Sequence, residues 1–169
     1  GLMMMGTWMS SAASDGYSGN TSLQVFGYLL MTSAFGLILG PLLSLYTTAS
    51  VLKILGGTAV MVGTLGFAGA VYPKSLEGWG IFLIGGLLLL IVGQFGALLL
   101  SAVGISMAGV FTIFDWIGLV IFSGLVMYDF NRAMRVERNI NTAIGCAVGI
   151  YLDFMNIFIR LLSLFGKRD

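Results

Sequence analysis

The sequence predicts an all-α, polytopic membrane helix bundle, on three observations. Of the 169 residues, 58% are hydrophobic and 9% charged, whereas about a quarter of a soluble domain is charged. Mean hydropathy is +1.01. Apolar runs recur along the chain, each able to cross the roughly 30 Å hydrocarbon core as a helix of about 20 residues. The net charge of +1 leaves no basic surface to argue for nucleic acid. With no histidine and one cysteine, Cys146, in the last apolar run, these residues hold no histidine-dependent catalyst, intrachain disulfide or cysteine-rich metal site.

Residues 1–10, GLMMMGTWMS, start hydrophobic without a charged leader and read as the end of a longer, truncated helix, so upstream sequence is expected. Neither the basic region nor the cleavage site of a signal peptide is evident. The run SSAASDGYSGNTS is a loop by composition. The first complete span covers 23–46. It has Gly36 and Gly40 at GxxxG spacing, then Pro41, which should bend or break the helix unless neighbours satisfy the freed carbonyl. A span over 51–71 carries Lys53 and several glycines. After the loop YPKSLEG, a span over 79–100 opens on Trp79, an interfacial anchor like Trp8 and Trp116. The span over 107–130 bears Asp115 near its start and Asp129 near its end. The basic run NRAMRVERN leads into the last span, 141–166. Residues 1–169 therefore read as a single transmembrane domain. Lys74, Arg132, Arg135 and Arg138 share one membrane side against Lys53, Lys167 and Arg168 on the other. That balance places the Arg132 loop in the cytoplasm or an equivalent matrix. The ten methionines read as packing or lipid-facing residues rather than copper ligands.

The last span holds Asp153 near its middle, where a carboxylate costs roughly 2.5–3.5 kcal/mol and must face protein, water or an ion. Helical steps of three and four put Gly145, Gly149, Asn156 and Arg160 on its face, with Leu152, Phe154, Ile157, Phe158, Leu161 and Phe165 on the other. Asp129 and Asp153 lie on consecutive antiparallel helices. They reach one depth if the chain turns near Asn141 and the Asp129 helix runs on past the membrane, with Arg132, Arg135 and Arg138 on a solvated face. Two carboxylates that close cannot both ionise cheaply, so they can share a proton and report pH as a dyad. Deprotonation leaves two repelling charges, relieved by helix separation or by a cation. Calcium suits such a site because it takes hard oxygen ligands. The plainer alternative buries the two separately, Asp129 bonded to Arg132 or Arg135 and Asp153 to Asn156 or a hydroxyl. An intramembrane aspartyl protease would need a Gly-x-Gly-Asp loop, which YDFN and YLDF do not supply. Asp115 reads as interfacial, favoured near its helix start by the macrodipole. With the turn at Asn141 an Asp115–Arg160 pair would have to bridge roughly 10 Å of depth, which a snorkelling arginine spans only partly.

At YDFNR and GIYLDFMNIFIRLLSLFGKRD the chain resembles the Bax inhibitor-1 family, also called the transmembrane Bax inhibitor motif or YccA-like family. Tyr151, Leu152, Asp153, Asn156, Phe158, Leu161, Leu162 and Gly166 carry the most specific pattern, and Tyr128, Asp129, FGLILGP and GGTA follow the family's order. The resemblance implies a fold of about seven helices, with the first helix and most of the second missing from this chain. It also implies a pH-sensitive calcium leak channel or Ca2+/H+ exchanger gated by Asp129 and Asp153. These two would be transient calcium ligands, supported along the ion path by Asp115, Asn156, Arg160, Tyr128 and Tyr151. The family's latch arginine has no counterpart in GLMMMGTWMS. Other members are regulators that bind a membrane AAA protease or cell-death proteins, which gives the alternative function. The expectation is thus a non-enzymatic protein of the bacterial inner membrane, or alternatively of the mitochondrial inner membrane or endoplasmic reticulum. Its partners would be the lipid bilayer, calcium and protons, with a membrane protease or other membrane complex in the second reading. Calcium would be cargo, and no cofactor is expected.

Overall fold

A computed structural model describes residues 21–136 and 140–168 of the chain. The expected helix end at 1–10, Trp8, Arg138 and the loop after residue 10 up to Asn20 lie outside these residues, while Thr21 and Ser22, expected in that loop, open the first helix. Five helices follow in order: α1, Thr21–Leu43; α2, Thr48–Val71; α3, Glu77–Ala102; α4, Ala108–Ala133; and α5, Ile140–Phe165. All five are long and apolar enough to cross a membrane, which makes the molecule a polytopic helical bundle.

Pro41 does not break α1. It falls in the last turn, and the helix ends at Leu43, short of Tyr46. There the Ser44 hydroxyl donates to the Pro41 carbonyl at 2.8 Å, and the backbone N–H of Ser44 still reaches Gly40 at 3.2 Å. A proline so near the helix end leaves little helix beyond it to disrupt. Tyr46, freed from α1, is buried against Phe158 and Leu162 of α5. It forms an antiparallel bridge with Arg168, whose guanidinium lies 5.6 Å from the Tyr46 ring centre. Thr47 N–H donates to the Lys167 carbonyl at 3.0 Å, and Lys167 N–H to the Ser50 hydroxyl at 2.9 Å. The end of α5 is thereby tied to the α1–α2 turn.

The bundle is built around α4 and α5. Helix α4 packs against α2, α3 and α5, and α5 against α1, α2 and α4. Their shared core holds Val62, Leu119, Phe122, Leu125, Val126 and Ile157. A second cluster joins Met31 and Phe35 of α1 to Val148 and Met155 of α5. Helix α3 packs on α4 through a narrow stripe containing Gly80, Leu90, Gly93 and Ala97, and leaves Ile81, Phe82, Leu88, Leu89, Val92 and Phe95 exposed. An apolar surface of that kind is expected to face lipid chains.

Small residues set how closely the helices approach, but not always the ones the spacing marked. Gly36 and Gly40 form a GxxxG pair, yet a Cβ added at either meets nothing within 4 Å. Helix α1 reaches α5 through the opposite side, where Gln24, Gly27, Met31, Ala34 and Phe35 are buried. Of the Gly145–Gly149 pair only Gly149 meets another helix. The tightest crossing joins α2 and α4 at Gly69, where a Cβ would lie on the Met127 carbonyl; at Gly66 it would meet the Phe130 ring. Among the described residues one backbone position needs glycine for its conformation: Gly104, with φ of +88°, turns the chain between α3 and α4.

Overpacking a backbone crossing costs about 1–3 kcal/mol. Gly69→Ala should therefore melt at lower temperature in detergent, whereas Gly63→Ala, whose Cβ would meet nothing within 4 Å, should melt as wild type. Equal melting of the two variants would rule out the close α2–α4 crossing.

Candidate functional site

The α4–α5 seam gathers the charged residues of the membrane interior. Asp153 on α5 is 4% exposed, and its Oδ2 has no hydrogen-bond partner among the described residues. Asp129 on α4 is half-buried and faces α5 at Gly149, where a Cβ would land on Asp129 Oδ2. The missing side chain of Gly149 is therefore the space that the Asp129 carboxylate fills. Gly149 precedes Asp153 by one helical turn, about 6 Å of backbone rise along α5, so Asp129 is set against the turn that precedes Asp153.

The offset follows from the register between the two helices. With a turn centred on Asn141, Asp129 would face Asp153. Instead α4 stops at Ala133 and α5 begins at Ile140, and Asp129 meets Gly149, Gly118 meets Arg160, and Asp115 meets Ser163. The expected run of α4 past the membrane does not form. After Ala133 the chain turns, with Arg135 and Val136 N–H groups donating to the Arg132 carbonyl at 2.9 and 3.1 Å.

Near the end of α4 lies a side chain that sequence reasoning passed over. Asn131 is 2% exposed. Its Nδ2 donates to the carbonyls of Gly69, Tyr72 and Lys74 at 3.0, 3.2 and 3.2 Å. Its Oδ1 accepts from Leu76 N–H at 3.1 Å and Arg135 Nε at 3.2 Å, while Arg135 Nη2 donates to the Tyr72 carbonyl at 3.0 Å. These bonds hold the α2–α3 loop onto α4, two residues beyond Asp129. They also occupy Arg135, which the plainer reading had offered to Asp129. An asparagine in the last turn of an apolar helix was the available signal.

The far end of the seam carries the opposite charge. Arg160, 7% exposed, donates from Nη1 to the Phe114 carbonyl at 3.0 Å and pairs with Asp115 Oδ1 at 3.3 Å. Ser163 donates to Asp115 Oδ2 at 2.6 Å. The expected depth mismatch between Asp115 and Arg160 is thus reduced from seven residues to about three by the one-turn register shift, which the arginine side chain spans. Gly118 makes the room, since a Cβ there would overlap the guanidinium, which also lies 5.3 Å from the centre of the Phe122 ring.

The remaining supporting residues point elsewhere. Asn156 donates to the Leu152 carbonyl on its own helix at 2.8 Å and not to Asp153. Tyr128 covers Gly80 of α3. Tyr151 stacks edge-on against Tyr28 and Phe35 of α1, with ring centres 6.2 and 5.7 Å apart. Both tyrosines act here as spacers between helices.

Removing the Asn131 amide would leave three carbonyls and the Leu76 N–H without it, and an unsatisfied buried group costs about 1–3 kcal/mol. Asn131→Ala should therefore loosen the 72–76 loop and speed trypsin cleavage after Lys74. Wild-type cleavage kinetics in the variant would show that the clamp does not hold the loop.

A family model described as inhibitor of apoptosis-promoting Bax1 matches residues 1–169. The chain is 28% identical over 150 residues to the inner membrane protein YbhL of Escherichia coli K12, an alignment covering 83% of this chain and 62% of that protein. It is 32% identical over 148 residues to an uncharacterized protein of Caulobacter vibrioides, covering 82% and 57%. A third relative, an uncharacterized protein of Deinococcus radiodurans, is 32% identical over 154 residues, covering 85% and 62%. The chain thus spans about three fifths of the length of these relatives. A whole-chain family match on a bundle of apolar helices identifies this chain as an integral membrane protein of the Bax inhibitor-1 family.

Proposed function

We propose that the protein is a pH-sensitive calcium leak channel or Ca2+/H+ exchanger in which Asp129 and Asp153 are sensor and gate. The observation that carries this is the buried Asp153 carboxylate, with one oxygen unpartnered among the described residues and a second carboxylate one turn away across the seam. An ionised aspartate at that depth costs roughly 2.5–3.5 kcal/mol, so its charge is balanced by a proton or by a cation. A change of proton occupancy alters the repulsion across the seam, and with it the spacing of α4 and α5. Calcium takes 6–8 oxygens. No three Asp, Glu, Cys or His side chains gather among the described residues, so the pair offers part of a coordination shell that water or backbone carbonyls would complete in passing. Such a site suits a transported ion rather than a resident one, and transport rather than catalysis. The name of YbhL supports the bacterial inner membrane, and Lys74, Arg132 and Arg135 support a cytoplasmic position for the 72–76 end.

A second reading, a membrane-embedded regulator that binds a membrane AAA protease or another membrane complex, is favoured by open glycine faces. A Cβ at Gly36, Gly40, Gly56, Gly57 or Gly63 meets nothing within 4 Å, which leaves room for a neighbouring helix to approach closely.

In liposomes loaded with a calcium dye, full-length protein should pass calcium at rates that differ between pH 6 and pH 8, and Asp153→Asn should lose the difference. Intact, pH-insensitive flux in an Asp129→Asn/Asp153→Asn double variant would sink the dyad as gate. For the regulator, purification in mild detergent should bring down a larger partner in stoichiometric amount; a clean single species would count against it.

A further inference from the structure

We propose that Asp115, Arg160 and Ser163 form a second, charge-compensated constriction on the α4–α5 seam and determine which ion passes its far end. The inference rests on the cation path proposed above and extends it from gating to selectivity.

Asp153, Asn156, Arg160 and Ser163 follow one another at steps of three and four along α5, and so share the face that carries Gly149. That face meets α4 at Asp129, Gly118 and Asp115 in turn. Between the charged ends Phe122, Leu125, Val126 and Ile157 are buried, and the Asn156 amide on the same face donates to the Leu152 carbonyl of its own helix. The next charged group along this seam from Asp153, away from the Asn131 clamp, is therefore the Arg160 guanidinium. Arg160 is built in rather than loosely placed: it fills the notch at Gly118, shares the Phe114 carbonyl and lies against the Phe122 ring. Its Nε is buried without a partner among the described residues, so the fixed positive charge keeps a donor unspent. Asp115 balances that charge, with one oxygen held by Arg160 and the other by Ser163. Ser163 is exposed, which puts this end of the cluster at the bundle surface. A neutralised pair passes cations; an uncompensated arginine would repel them and an uncompensated aspartate would attract them, over several ångströms of intermediate dielectric.

Two substitutions that break the same ion pair should therefore act with opposite sign. In liposomes carrying full-length protein, the ratio of calcium to chloride flux should fall by roughly tenfold in Asp115→Asn and rise by roughly tenfold in Arg160→Gln, the scale of one uncompensated charge. A lone buried charge can prevent folding, so Ser163→Asp and Ser163→Lys at the exposed member repeat the test with the pair intact. They should raise and lower the ratio, respectively. Ratios that move together, or not at all, while wild type conducts calcium would reduce the cluster to a structural ion pair and overturn the selectivity role, leaving the dyad gate standing. Wild-type protein and all four variants passing no calcium would overturn both.

Discussion

A carboxylate carried into the middle of an apolar helix has to be enclosed by something other than lipid. In this chain that requirement falls on the contact between α4 and α5. Desolvation of Asp153 is tolerable only if another helix covers it and a proton or cation balances it. The arrangement that does so makes α5 the axis of the bundle, touched by α1, α2 and α4. The other helices can then turn apolar surface outward, as α3 does along nearly its whole length.

The seam is fitted by the absence of side chains as much as by their presence. Gly149 gives up its place to the Asp129 carboxylate and Gly118 to the Arg160 guanidinium, while Gly69 and Gly66 bring α2 onto the same helix from the other side. In a membrane, where lipid offers helices little hydrophobic reason to associate, close packing and polar contacts between helices are what hold them. Here those contacts are also the charged groups of the proposed ion path, so that proposal ties packing and chemistry to the same residues.

The ends of the seam are anchored differently. One is fastened by Asn131, which satisfies loop carbonyls that α2 and its turn would otherwise leave open. The other is fastened by the Asp115–Arg160 pair with Ser163, and by the bridge between Tyr46 and Arg168. The first anchor is an asparagine two residues from Asp129 that also holds the Arg135 guanidinium; the second is an ion pair two turns beyond Asp153.

Hydropathy alone determined that the chain forms membrane helices and placed five of them, because the cost of exposing polar backbone to hydrocarbon leaves a helix as the solution for each apolar run. It also singled out Asp129 and Asp153, since an ionisable residue at depth stands out against apolar neighbours. The pattern could not fix how far one helix slides along another. Spacing placed the turn at Asn141 and the aspartates at one depth. Tertiary structure moved the register by one turn, set Asp129 against Gly149 and brought Asp115 within reach of Arg160. It likewise decided which glycines face a neighbour, choosing Gly69 and Gly149 over Gly36 and Gly40, since a short motif is written along one helix while a contact depends on two.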